Sequence, residues 1–181
     1  MNNFKKITED FYYDEDTGDI EKYLCDRVSM LLQGNEVDNQ ICLEQSLIEC
    51  ESPIEQMLSI EFEEINLLGM INFNPFIDIV AIDKQVEIEC QNKKYRVDFL
   101  IPVIYKNQEN KYFVVECDGH EFHQKTKKQV ENDNIRMRNL QKSGYEVIRF
   151  SGTEIWHNPY KCACEVKNII MSYCKYQKGG N

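Results

Sequence analysis

Hydrophobic residues recur along this chain with two different periods, and the switch between them outlines its architecture. Ile20, Leu24, Val28 and Leu31 fall at helical spacing, and Gly34 stops that helix. A second short helix is expected from Leu43 to Cys50. Ser52-Pro53-Ile54-Glu55 then supplies an N-cap, a proline at the first helical position and a glutamate three residues after the cap. The helix it opens carries Ile54, Leu58, Phe62, Ile65 and Leu68 as its buried stripe and ends at Gly69. From there the period drops to two, with strands expected near Phe76–Ile82, Val86–Cys90, Lys94–Tyr105 and Lys111–Asp118. Helical spacing returns from Gln124 to Ser143, stopped by Gly144, and Tyr145–Phe150 alternates as one more strand. Asn158-Pro159 caps a last helix with Ala163, Val166, Ile170 and Tyr173 inward. An antiparallel meander that crosses through a helix into a further strand predicts an α/β fold, a mixed sheet between helices.

The 181 residues, 42% hydrophobic, suit one domain with a sizeable core. No run of eighteen apolar residues occurs, and the opening MNNFKKITEDFYYDEDTGD lacks the apolar stretch of a signal peptide. A cytoplasmic location is therefore expected, with the eight cysteines reduced. Cys90 and Cys117 read as core thiols, and His157 with Cys162 and Cys164 as an ordinary helix face rather than a zinc corner.

A net charge of −10 argues against a nucleic-acid partner only until the chain is divided. Residues 1–90 hold 5 Lys/Arg against 21 Asp/Glu, net −16, whereas residues 91–181 hold 16 against 10, net +6. The asymmetry predicts a locally basic binding surface and an acidic segment with a separate task. Residues 1–50 are expected to form that acidic extension, weakly ordered over 1–19 and then helical, with a possible protein partner of its own.

The chemistry concentrates in YRVDFLIPVIYKNQENKYFVVECDGHEFH, Tyr95 to His123. Two apolar strands each deliver acids, Asp98 on the first and Glu116 and Asp118 on the second. Glu116 and Asp118 share one face by alternation. Carboxylates on a buried sheet are costly unless a cation sits among them, and hard oxygen ligands suit Mg²⁺ or Mn²⁺. The bland alternative is a solvated hairpin face. Against it stands the cationic cluster His120, His123, Lys125, Lys127 and Lys128, which follows the acids directly and suits a phosphate held beside a metal.

The phrase ECDGHEFHQKT, continued by DNIRMRNLQKSGY and the strand-plus-turn EVIRFSGTEI, resembles the PD-(D/E)xK nuclease superfamily, the restriction-endonuclease-like fold. The nearer likeness is to its very-short-patch-repair-like branch. It runs from about Ser52 to Cys174, is most specific between Val115 and Ile155, and marks residues 51–176 as the nuclease-like domain. The resemblance implies that Asp98 and Glu116 are the metal-binding acids, joined by the Cys117 carbonyl, and that Glu55 is a helical glutamate facing the site. The lysine of (D/E)xK should stand two residues after Glu116, where this chain has Asp118. The resemblance implies that the missing charge comes from the following helix, with Lys125 the first candidate and Lys127 and His123 behind it. Metal-assisted hydrolysis of a phosphodiester follows, by an endonuclease acting on DNA in bacterial or mobile-element defence or repair. Lys93, Lys94, Lys127, Lys128, Arg136 and Arg138 would contact backbone phosphates.

Several of these residues have a plainer reading. Glu55 completes a capping box without any active site, Asp118 could hold the turn at Gly119, and His120 could be a solvated turn residue. Arg149, between Ile148 and Phe150, is expected to pair with an acid or a phosphate. Two other functions stay open: a nuclease-derived module that grips nucleic acid without cutting, and a protein-interaction subunit dominated by the acidic extension.

Overall fold

The computed structural model describes residues 17–31, 46–65, 67, 77–106, 109–118 and 126–174. Helices α1 (Thr17–Leu31) and α2 (Pro53–Glu64) precede strands β1 (Ile77–Val80), β2 (Asp83–Cys90), β3 (Lys93–Tyr105) and β4 (Lys111–Asp118). Helix α3 (Lys127–Lys142), strand β5 (Tyr145–Ser151) and helices α4 (Gly152–His157) and α5 (Pro159–Ser172) follow.

The five strands form one mixed sheet, ordered β1-β3-β4-β5, with β2 also paired to β3. Thirteen-residue β3 is long enough to pair antiparallel with β1 near Tyr105 and with β2 from Leu100 back to Lys93. The β2–β3 hairpin closes on Gln91-Asn92, both at positive φ (53° and 60°), the two-residue turn whose twist matches its strands. β4 is antiparallel to β3, and α3 carries the chain over to β5, parallel to β4. Parallel neighbours need such a crossover, so the α/β mixed sheet read from the sequence is the fold observed.

The apolar residues of the strands divide between two clusters. Phe99, Ile101, Val103, Phe113, Val115 and Phe150 join the main core with residues of α1, α2 and α5. Val97, Val114, Ile88, Cys90 and Leu140 form a smaller cluster against α3. Leu140 is the one buried residue of α3, so that helix rests on the sheet with little apolar anchorage.

Local signals account for most helix ends. Ser52 caps α2 with Pro53 in its first turn, and Asn158 caps α5 with Pro159 behind it. α3 starts later than expected, at Lys127, because Thr126 and Gln129 form a reciprocal capping box. Gly144 at φ 90° turns the chain out of it. Helix α4 was expected as a turn. Ser151 and Glu154 form a capping box there too, a signal present in SGTE.

The expected stripe on α2 understates its burial. Every residue from Ile54 to Phe62 is buried, since α1 covers the side that a surface helix would show to water. Glu61 is thereby enclosed, and Arg27 of α1 meets it with two bonds of 2.7 and 2.8 Å while the Tyr23 hydroxyl donates to Oε1. Leu24 and Val28 enter the same core. Residues 1–16, 32–45 and 119–125 lie outside the described set. The expectations of weak order over 1–19, of a helix starting at Leu43, and for His120, His123 and Lys125 fall wholly or partly there.

Candidate active site

The site is a place where two strands part. The β3–β4 ladder runs from Val103–Lys111 to Phe99–Val115 and stops. Beyond it β4 stays paired with β5 as far as Asp118–Ser151, and β3 with β2 as far as Lys93–Cys90. Asp98 and Glu116 are the first residues past the last pair. The freed backbone N–H of Cys117 finds its acceptor in Asp98, whose Oδ2 lies 2.7 Å away.

Both acids are held in an unfavourable setting. Burial pushes Asp98 up to about 6, reinforced by Glu55 and Asp118 and opposed by the Cys117 N–H and Arg136. Burial pushes Glu116, 6% exposed, up to about 8, with Asp98 and Asp118 adding to the rise and Arg136 and Arg149 working against it. Carboxyls whose pKa is raised by burial and by neighbouring acids favour the arrival of a cation.

Two arginines already answer part of that charge. Arg136 of α3 donates through one terminal nitrogen to Glu116 Oε1 at 2.8 Å and to the Arg96 carbonyl. Arg149 grips Asp118 with two donors and reaches Asp133 of α3 at 3.7 Å. Asp118, in the lysine position of the (D/E)xK pattern, is thus paired with its neighbour on β5; the turn at Gly119 lies outside the described residues. These ion pairs, together with Leu140, draw α3 over the acidic end of the sheet.

Glu55 is engaged in the cap of its own helix. Its Oε1 accepts from the Ser52 hydroxyl at 2.7 Å and its Oε2 from the Glu51 N–H at 3.0 Å, closing the cap of α2. Its charge is also felt by Asp98. Gln85 adds a third bond, 2.6 Å from its amide to Oε2. This glutamine lies across β2–β3 from Asp98, between the Lys84–Phe99 and Val86–Val97 pairs, and holds φ at 51°. A non-glycine residue there stores strain, a feature that gathers at functional sites. No sequence pattern announces it.

The expected phosphate contacts divide. Lys127 and Lys128 are exposed in the first turn of α3, Arg138 is exposed further along it, and Lys93 and Lys94 are exposed on the β2–β3 hairpin. Lys94 forms a loose pair with Glu87 at 3.5 Å. Arg136 differs from them: its described partners are Glu116 and a backbone carbonyl, inside the site.

Asp98 and Glu116 would offer a metal only oxygen donors, and no group of three His, Cys, Asp or Glu that could hold a metal ion occurs among the described residues. That suits a small hard cation such as Mg²⁺, which keeps several waters and uses one or two carboxylates beside a substrate phosphate.

A mixed sheet whose central strands separate at a half-buried and a buried acid, backed by helices on both faces, is a restriction-endonuclease-like arrangement. The family model REase_MTES_1575 matches residues 76–170, more than half of the chain, and the chain belongs to that restriction-endonuclease-like family. No curated protein and no solved structure matches it. The family points to a nuclease and hence to a nucleic-acid substrate. Among the described residues no helix is long and apolar enough to cross a membrane.

Proposed function

We propose that this protein is a divalent-metal-dependent endonuclease that hydrolyses phosphodiester bonds of DNA, with Asp98 and Glu116 as its metal-binding residues. The observation that carries the reading is the pair of acids at the parting of β3 and β4, buried Glu116 and half-buried Asp98, each with a raised pKa. Mg²⁺ or Mn²⁺ bound there would supply Lewis acidity toward the scissile phosphate. Asp98 and Glu116 would hold it with the Cys117 carbonyl, and Glu55, fixed by Ser52 and Gln85, would complete the negative rim. Lys127 and Lys128, with Lys93, Lys94 and Arg138, would receive flanking phosphates and contribute affinity without base specificity. In the reaction a water oxygen bonds to phosphorus, the bond from phosphorus to the leaving sugar oxygen breaks, and the water's proton ends on that oxygen.

The test is a cleavage panel of duplex, single-stranded, nicked and mismatched DNA, and of RNA, with Mg²⁺ or Mn²⁺. Asp98→Asn and Glu116→Gln should each abolish cutting while circular dichroism stays that of the parent. Cutting undiminished in both variants would remove these residues from the site. The Arg149–Asp118 pair in the lysine position favours one rival, a module that binds nucleic acid without cutting. Saturable DNA binding with no cleavage anywhere on the panel would establish that rival.

A further inference from the structure

We infer that Arg136 is the catalytic cation of this site, standing in for the lysine that the (D/E)xK pattern places two residues after Glu116. The inference rests on the hydrolase reading above. A cation in that role must come from a residue near the metal-binding glutamate, be held in place, and not be consumed by another acid. Arg149 fails the last condition, since its guanidinium is committed to Asp118 by two bonds and lies 3.7 Å from Asp133. Lys127 and Lys128 fail the second, being exposed in the opening turn of α3.

Arg136 meets all three conditions. Its terminal nitrogen donates to Glu116 Oε1 at 2.8 Å, and the Arg96 carbonyl fixes the same nitrogen from the sheet side. The guanidinium side chain is 28% exposed, so it borders the site rather than lying under it. A guanidinium carries five N–H donors in a plane, and its fork fits two oxygens of a phosphate. A group that contacts Glu116 through one nitrogen can therefore reach the phosphate held beside that carboxylate through another. In the metal-free protein the same contact makes Arg136 a competitor for Glu116. With a divalent cation held by Asp98 and Glu116, that carboxylate would be engaged by the metal, and the Arg136 guanidinium would be left to stabilise the scissile phosphate, whose charge grows in the transition state.

The two parts of this role give opposite signs in two measurements on the full chain. Arg136→Met should lower kcat on the cleaved substrate by 100-fold or more with KM within about threefold, as for a contact made only in the transition state. Calorimetric Mn²⁺ titration of the same variant, without DNA, should show binding 3- to 10-fold tighter than the parent, because the competing cation is gone. Arg136→Lys should recover part of the turnover. A merely structural Arg136, needed to orient Glu116, predicts weaker Mn²⁺ binding alongside lost turnover, and that result would overturn the inference. Turnover within threefold of the parent would overturn it equally. A parent that binds Mn²⁺ yet cuts no nucleic acid would refute the hydrolase reading itself, and the role of Arg136 would fall with it.

Discussion

Arg27→Met offers the sharpest test of how the acidic N-terminal helix belongs to the fold. Glu61 is fully enclosed between α1 and α2, its side chain 0% exposed, while Arg27 is 19% exposed. Removing the arginine leaves a carboxylate sealed from water with the Tyr23 hydroxyl as its remaining strong donor. Breaking a buried pair from one side costs about 3–5 kcal/mol, and the partial exposure of Arg27 puts this case at about 3. At roughly 2–4 °C per kcal/mol for a chain of this size, the melting temperature should fall by about 6–12 °C. Removing both charges changes the sign of the argument, because an enclosed ion pair costs much of its own attraction in desolvation. Arg27→Met with Glu61→Leu should therefore recover most of the loss, since apolar replacements of buried pairs are often neutral. Glu87→Gln, which breaks the exposed Lys94 pair, provides the contrast: surface pairs are worth about 0–1 kcal/mol, so its melt should move by no more than about 4 °C. Thermal melts followed by circular dichroism, with urea titrations for the free energies, measure all three. The reasoning fails if Arg27→Met melts within about 2 °C of the parent, or if the double variant loses as much as the single.

Without divalent cations, stability should decline as pH rises from the ordinary carboxyl range to about 8. Over that window the folded chain holds protons on Asp98 (about 6) and Glu116 (about 8) that the unfolded chain has already released. Urea midpoints at pH 5 and pH 8.5 check this; Glu116→Gln should flatten the upper part of the decline, and a midpoint that rises with pH would contradict it. Lys127→Gln with Lys128→Gln should weaken DNA binding equally across sequences and shallow the dependence of log K on log salt by about 2, one unit per lost phosphate contact. A salt series by fluorescence anisotropy measures the slope, and an unchanged slope would place the DNA elsewhere.

The sequence was enough for what depends on near neighbours. Period-two runs located β2 to β5 because a half-buried strand must alternate. Ser52-Pro53, Asn158-Pro159 and Gly144 marked helix ends because caps and left-handed turns are satisfied within a few residues. The acids Asp98 and Glu116 stood out because carboxylates are out of place among Val, Phe and Ile. What α1 touches was not legible: that Arg27 meets Glu61 is a contact across 34 positions, which no local pattern encodes. The same holds for the two arginines of the site. Nothing in DNIRMRNLQ tells a phosphate-binding Arg136 from one turned onto Glu116, because the difference lies in how α3 crosses the sheet. Asp118 standing where a lysine was expected became intelligible only when the parallel register of β4 and β5 set Arg149 beside it. Gln85 gave no signal, since a left-handed φ at a non-glycine residue is imposed by the surrounding packing and not by its own preference. Chemistry that one strand can carry alone is written in its residues; the partners that balance those charges are chosen by the tertiary fold, since Coulomb attraction depends on distance in space and not along the chain.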